Sequence, residues 1–413
     1  MRFRMLSQCG QGLALLNRLQ DDGYECEFWT PPNIPADLYE DIIPRTDDWH
    51  DGLDEETVVL FDAPGSGKLA TDLPLTWGAS PINDVLHFDR TFGLKIAKIH
   101  GLKIPAYGRF NATAPAAEFL SGCKESRWGL ELPNGVVFYE DQSGRQMCEL
   151  LEFTEPLTDF YLVERVPGES LSLSGWYVGG ELVPNSLFST VEKNRFLAGD
   201  YGPRCPTAQL CTGWFWPPKR KRDGETTPTL YRHTLKKLEP WLKQEKYQGP
   251  LCLRLRIGET DGIPSFYGFE TGFRYPAIYA MLEGLEVDLA DVISTMVAGE
   301  KPELKPTRSR IGAMAISVPP YPYFAGRANH LVRGNLDAEH VWPLDVKCVA
   351  GCNFTAGAQG IVAYLTAQAE KDEELAGNLH ELADTVNVAD KQLRDDGPDA
   401  GEVIELLTNW HYF

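Results

Sequence analysis

Arg2-Phe3-Arg4-Met5-Leu6-Ser7-Gln8-Cys9-Gly10-Gln11-Gly12-Leu13-Ala14-Leu15-Leu16 opens the chain, and its reading decides the fold class. Residues 2–6 predict a short strand. Gly10 and Gly12 predict a tight turn, after which Leu13, Leu15, Leu16 and Leu19 recur at helical spacing until Gly23. Residues 25–29 predict a second strand. Residues 57–61 predict a third, whose unbroken apolar run suits a strand covered on both faces. Strand, glycine turn, helix, strand is the order of a parallel α/β unit. Backbone N–H groups at such a turn, with the helix dipole behind them, favour an anion, so Gly10 and Gly12 are candidate phosphate-cradling positions. The turn is not a GxGxxG motif, because Leu15 stands at the third glycine position.

Further along, residues 83–100 predict one helix with Asn83 as N-cap, closed by Gly101. Residues 128–190 hold short strand-like runs with polar turns. Residues 229–246 predict a helix with Leu235, Leu238 and Leu242 on one face. Residues 251–257 and 265–270 predict a hairpin joined by Glu259-Thr260-Asp261-Gly262. Residues 300–309 carry two prolines and no apolar periodicity, and read as a linker. Strands at 311–318 and 361–367 and a helix over 372–393 follow.

The chain has 413 residues, enough for two or three domains. Hydrophobic residues at 43% and charged residues at 24% give an ordinary globular balance and exclude a mostly disordered chain. The net charge of −20 repels phosphate backbones and anionic lipid, which disfavours broad nucleic-acid binding. The basic run Lys219-Arg220-Lys221-Arg222 is the one candidate for a local nucleic-acid contact. No window offers 18 apolar residues in a row, so no membrane span is expected. The nine cysteines include no CxxC pair, which points to reduced thiols in a cytoplasmic protein.

Five segments bear on chemistry. Ala63-Pro64-Gly65-Ser66-Gly67-Lys68 is not a Walker A loop: Asp62 stands where a glycine is needed and Leu69 where Ser or Thr is needed. It reads as a tight loop at a strand end. Val163-Glu164-Arg165-Val166-Pro167-Gly168-Glu169 places two carboxylates around a Pro-Gly bend, as a ribose clasp or as a solvated turn. Gly199-Asp200-Tyr201-Gly202-Pro203-Arg204 is a rigid loop with one acid and one base. Phe269-Glu270-Thr271-Gly272-Phe273-Arg274-Tyr275-Pro276 ends a strand on a carboxylate, with an arginine four residues later. Glu270 is then a candidate Mg²⁺ ligand and Arg274 a candidate fork on phosphate oxygens, or the two form a simple ion pair. Lys95 is a further candidate phosphate contact.

In this order the segments resemble the ATP-grasp ligases, the glycinamide ribonucleotide synthetase family in particular. The resemblance spans nearly the whole chain and is carried most specifically by Gly199-Asp200-Tyr201-Gly202-Pro203, similar to a GDxGP loop, and by residues 78–110. It implies an α/β and α+β multidomain fold: an α/β domain over 1–108, an ATP-grasp lid and hinge over 109–190, the ATP-grasp core over 191–300, and a C-terminal α/β domain over 306–413. It implies ATP and Mg²⁺ as cofactors. Gly10, Gly12, Lys95, Glu164, Val166 and Glu169 would then meet ATP, and Glu270 the metal. Arg274, Asp200 and Arg204 would act at the reacting groups. The implied reaction joins a small carboxylate, such as an amino acid, to an amine on a nucleotide-like or phosphoribosylamine-like acceptor, through an acyl phosphate.

The departures from that family are specific. Gly272 replaces a metal-ligating asparagine, and Leu251-Cys252-Leu253-Arg254-Leu255-Arg256 carries arginines and no carboxylate. Arg204, Cys205, Ala208 and Gln209 replace the residues that follow the GDxGP loop. Glu131 stands near the place of a lid-strand lysine, where it is expected to repel phosphate by roughly 4 kcal/mol at 4 Å. Unless Lys95, Arg254 or Arg256 supplies the cation, ATP affinity is expected to be weak. The alternative is an ATP-grasp-fold binding protein without the chemistry, or an accessory factor in nucleotide or DNA-base modification.

Overall fold

The computed structural model describes residues 1–133, 137–153, 157–216, 228–324 and 326–412. The chain begins as a parallel sheet in the order Glu25–Trp29, Arg2–Leu6, Thr57–Phe61, Thr76–Trp77, with helix Leu13–Asp21 after the first strand. Every residue of Thr57–Phe61 is buried, as its apolar run predicts for a strand covered on both faces. The predicted helix over 83–100 is two helices, Pro81–Phe88 and Arg90–Ile99. Asp89 leaves the helical conformation and accepts from Phe92 N at 2.9 Å, so it caps the second. Ser80, not Asn83, caps the first, with Pro81 as its first helical residue.

Tyr107–Phe110, Phe160–Glu164, Arg127–Glu131 and Val137–Ser143 form a small antiparallel sheet. Helices Thr113–Ser121 and Gly144–Phe153 cover it, and Leu120, Trp128, Leu130, Met147 and Leu162 fill a core of its own. A small lid with a separate core is the arrangement the resemblance implies.

Among the described residues the largest sheet has nine strands, all antiparallel. Its path runs Pro264–Thr271, Gly249–Gly258, Gly168–Val178, Phe188–Lys193, Leu210–Phe215, Arg310–Ser317, Ile361–Ala369, Val341–Pro343, with Glu181–Leu182 beside Gly168–Val178. The sheet therefore runs through the expected divisions at 190 and at 300–306, and neither is a sheet boundary. Residues 300–309 are irregular apart from a bridge at Pro306, and Leu304 anchors them in the core at 1% exposure. The helix predicted over 229–246 breaks at Thr234 into Thr229–His233 and Leu235–Gln244, with Leu235, Leu238 and Leu242 buried as expected.

The predicted hairpin forms, with a bulge. Arg254 pairs with Gly268 and Leu255 with Phe266, leaving Tyr267 as the extra residue. The helix expected to reach 393 stops at Thr385, where Val386 turns extended and residues 387–388 join a small sheet. Among the described residues no helix is long and apolar enough to cross a membrane. All nine cysteines are free.

Candidate functional site

A cavity of about 610 Å³ opens on one face of the large sheet, beneath the lid and beside the first domain. Its floor follows from strand alternation. Along Gly249–Gly258, Leu251, Leu253, Leu255 and Ile257 belong to the hydrophobic core, so Cys252, Arg254 and Arg256 face the other side. Glu270 lies opposite Cys252 on the neighbouring strand and shares that side. Among the described residues, seven lining side chains are Lys or Arg and four are Asp or Glu, in a chain whose net charge is −20.

Glu270 and Arg274 meet on the cavity wall, bonded to each other. Arg274 also donates from Nη2 to Glu192 Oε2 at 2.7 Å and from Nη1 to Cys252 Sγ at 3.2 Å. Arg254 Nε stands 3.5 Å from Glu270 Oε1. Burial would raise the Glu270 carboxyl, but Arg274, Arg254 and His87 hold it below the usual carboxylate range. Glu192 goes the other way: burial pushes it up, Glu270 adds to that, and Arg274 only partly offsets both.

The expected repulsion at Glu131 is corrected. The side chain is 1% exposed and gripped by two arginines: Oε2 lies 3.1 Å from Arg90 Nη2, and Oε1 accepts from Arg165 Nη2 at 2.8 Å. Desolvation raises its carboxyl, but Arg90, Arg165 and Arg254 outweigh that and keep it low. Glycines make room for this cluster. A Cβ at Gly129 would come 2.3 Å from Arg165, and one at Gly268 would come 2.9 Å from both Arg254 and Arg90. The cations near the lid strand are thus Arg90 and Arg165, which sequence reasoning missed. Arg165 lay inside a quoted segment, but its partner Glu131 is 34 residues away, and no local pattern links them.

Asp200 and Arg204 line the same cavity as Glu270 and Arg274. Their segment is a tight hairpin of Arg195–Leu197 with Tyr201–Arg204. Buried Arg394 holds it, donating to Arg195 O at 2.8 Å and to Asp200 Oδ1 at 2.9 Å.

Other expected contacts lie elsewhere. Lys95 is exposed on its helix, about 140° around from Arg90, which points inward. Glu169 is absent from the lining, whereas Ser170 and Ser172, on the other side of its strand, belong to it. Gly10 and Gly12 are not in the lining, although Cys9 and Gln11 are. Their turn already holds an anion. Asp62 is fully buried, accepts from Gln8 N at 3.1 Å and Gly12 N at 3.0 Å, and bonds the Ser7 hydroxyl. Burial pushes its carboxyl up to about 6, against those three hydrogen bonds. The Pro64–Lys68 loop is likewise occupied: Gly65 N and Gly67 N each donate to the Asp84 carboxylate at 2.7 Å. At the hinge, Val166 N donates to the Tyr267 hydroxyl at 2.9 Å, and that hydroxyl donates to Glu164 O at 2.9 Å. Lys219 to Arg222 lie outside the described residues.

These residues do not fit Mg²⁺. Among the described residues no group of three or more His, Cys, Asp or Glu could hold a metal ion, and Mg²⁺, which needs only one or two protein carboxylates, would depend on Glu270. Glu270 faces two guanidinium groups, which a divalent cation would have to displace in already positive surroundings. A polyanion fits the cavity charge; the backbone edges expected to grip ATP are bonded within the chain.

The fold is that of the ATP-grasp ligases. The crystal structure of phosphoribosylamine–glycine ligase from Thermotoga maritima superposes with a TM-score of 0.72 at 17% identity, covering 96% of this chain and 100% of that one. N5-carboxyaminoimidazole ribonucleotide synthetase from Thermotoga maritima gives 0.60 at 12%, covering 94% and 99%. L-amino acid ligase from Bacillus licheniformis gives 0.58 at 13%, covering 94% and 98%. No family model matches the sequence, and no curated protein matches it. Likeness at these identities carries the fold and not the chemistry.

Proposed function

We propose that this chain binds a small polyanion, bearing phosphate or carboxylate groups, in the arginine-lined cavity, and that it is an ATP-grasp fold in which metal-dependent phosphoryl transfer is lost. The observation that carries this reading is the excess of basic over acidic side chains in the cavity of a strongly acidic protein. Arg254 and Arg256 stand on the floor, on the strand where the family resemblance implies a carboxylate. Among the described residues Arg256 makes no ion pair, and its Nε donates to Gly168 O at 2.8 Å. Its remaining donors suit an anionic oxygen. The test is titration calorimetry with inorganic tripolyphosphate, with and without Mg²⁺. Binding that needs no Mg²⁺ and weakens about tenfold in Arg256→Ala is expected, the loss of one charged hydrogen bond. Absence of binding by tripolyphosphate and by a polycarboxylate panel would remove the reading.

A second reading is favoured by Asp200, Arg204, Glu270 and Arg274 lining one cavity. It is ATP-dependent carboxylate–amine ligation on a nucleotide-like or phosphoribosylamine-like acceptor. Phosphate release from ATP in the presence of Mg²⁺, an amino acid and an amine, abolished in Glu270→Gln, would establish it over the first.

A further inference from the structure

Glu164 C=O and Val166 N–H are two residues apart on the segment that leaves the lid strand Phe160–Glu164. An acceptor and a donor spaced this way form a short edge able to pair with the complementary edge of a nucleobase, an N–H beside a ring nitrogen. Here one hydroxyl satisfies both groups. Tyr267 Oη accepts from Val166 N and donates to Glu164 O, each at 2.9 Å.

Tyr267 is placed there by more than chance contact. It is the extra residue of the bulge opposite Arg254 and Leu255, and bulges re-aim side chains. Arg90 bonds its carbonyl, so the bulge is pinned from the helix side. Arg165 lies over its ring at 5.3 Å from the centroid, and Tyr161 and Val163 pack around it. The residue is 6% exposed and lines the cavity, whereas Glu164 and Val166 do not.

We infer that Tyr267 is a specificity-determining residue that fills the base-pairing edge of the hinge from within, so that the cavity takes a polyanion whose recognition involves no nucleobase at this edge. The inference rests on the polyanion reading for its ligand class, but the closure of the edge is testable alone. Adenosine carries no phosphate and reports on the edge without the arginines. Calorimetry is expected to detect no adenosine binding to the wild-type chain. Measurable binding is expected in Tyr267→Ala, and in Tyr267→Leu, which keeps apolar bulk against Tyr161 and Val163 should the alanine variant fail to fold. In parallel, ATP and tripolyphosphate should bind the wild type within about threefold of each other. In the variants ATP should gain about tenfold over tripolyphosphate, the worth of one or two recovered hydrogen bonds. Adenosine binding to the wild type, or no gain in a folded variant, overturns the inference. If tripolyphosphate fails to bind while adenosine still distinguishes wild type from variant, the polyanion reading falls and the closed edge stands.

Discussion

Glu131 is the residue whose meaning changes most between sequence and structure. As a lone acid on a lid strand it repels phosphate; between Arg90 and Arg165 it is the counter-ion that lets two guanidinium groups be buried. Removing the acid from such a cluster leaves two buried guanidinium groups without their counter-ion, a loss of about 3–5 kcal/mol. Glu131→Ala should therefore lower the free energy of unfolding by that amount, read as a fall in the midpoint of denaturant unfolding, and an unchanged midpoint would dispose of the assignment. Asp62 gives a pH signature of the opposite kind. Its folded pKa of about 6 lies above the ordinary value of 3.8, so the folded state holds its proton more tightly. The stability this contributes is fully present below pH 4 and is lost as pH rises through 6. The stability difference between wild type and Asp62→Ala should shrink by about 2 kcal/mol from pH 4.5 to pH 7, measured by urea unfolding at each pH. A difference that grows with pH would mean that Asp62 is held as an anion throughout.

Among elements, the Arg195–Leu197 and Tyr201–Arg204 hairpin matters most to the site, and a residue about 190 positions away fixes it. Arg394 has a 1% exposed side chain and bonds Arg195 O, Asp200 and Asp396. Asp396 in turn accepts from Gly199 N at 3.0 Å. Asp200 is half exposed, so the grip comes chiefly from the buried bonds. Arg394→Ala should speed amide exchange across 195–204 at least tenfold and leave the lid sheet as protected as before, read by hydrogen–deuterium exchange mass spectrometry. Equal protection in both proteins would separate the hairpin from Arg394. The same contrast sets what could be read from the sequence. Thr57–Phe61, the 249–271 hairpin and the Leu235–Leu242 face were legible because periodicity and turn residues are local signals. The break at Asp89 was missed because capping by Asp89 competes with an apolar pattern that runs straight through it. At the site, Glu270 with Arg274 was legible as a pair four residues apart. Glu131 with Arg165, Asp62 with Gly12, and Tyr267 with Val166 were not, since each joins elements that only the folded topology brings together.

At the scale of the whole molecule two charges of opposite sense meet. The outer surface is set by a net −20, whereas the described residues of the cavity wall carry seven basic side chains against four acidic. An approaching polyanion is repelled at long range and attracted once inside. Salt acts unequally on the two, because exposed charges beyond about 10 Å are screened at 0.1 M while partly buried ones are screened much less. Raising NaCl from 20 to 150 mM should therefore increase the association rate of tripolyphosphate by about twofold or more, where a basic binding face would show a fall. The dissociation rate should change less, since the contacts that hold the ligand sit on the floor with Arg254 and Arg256. Stopped-flow tryptophan fluorescence gives both rates. An association rate that falls steadily with salt would place the anion on an exposed basic patch and not in this cavity.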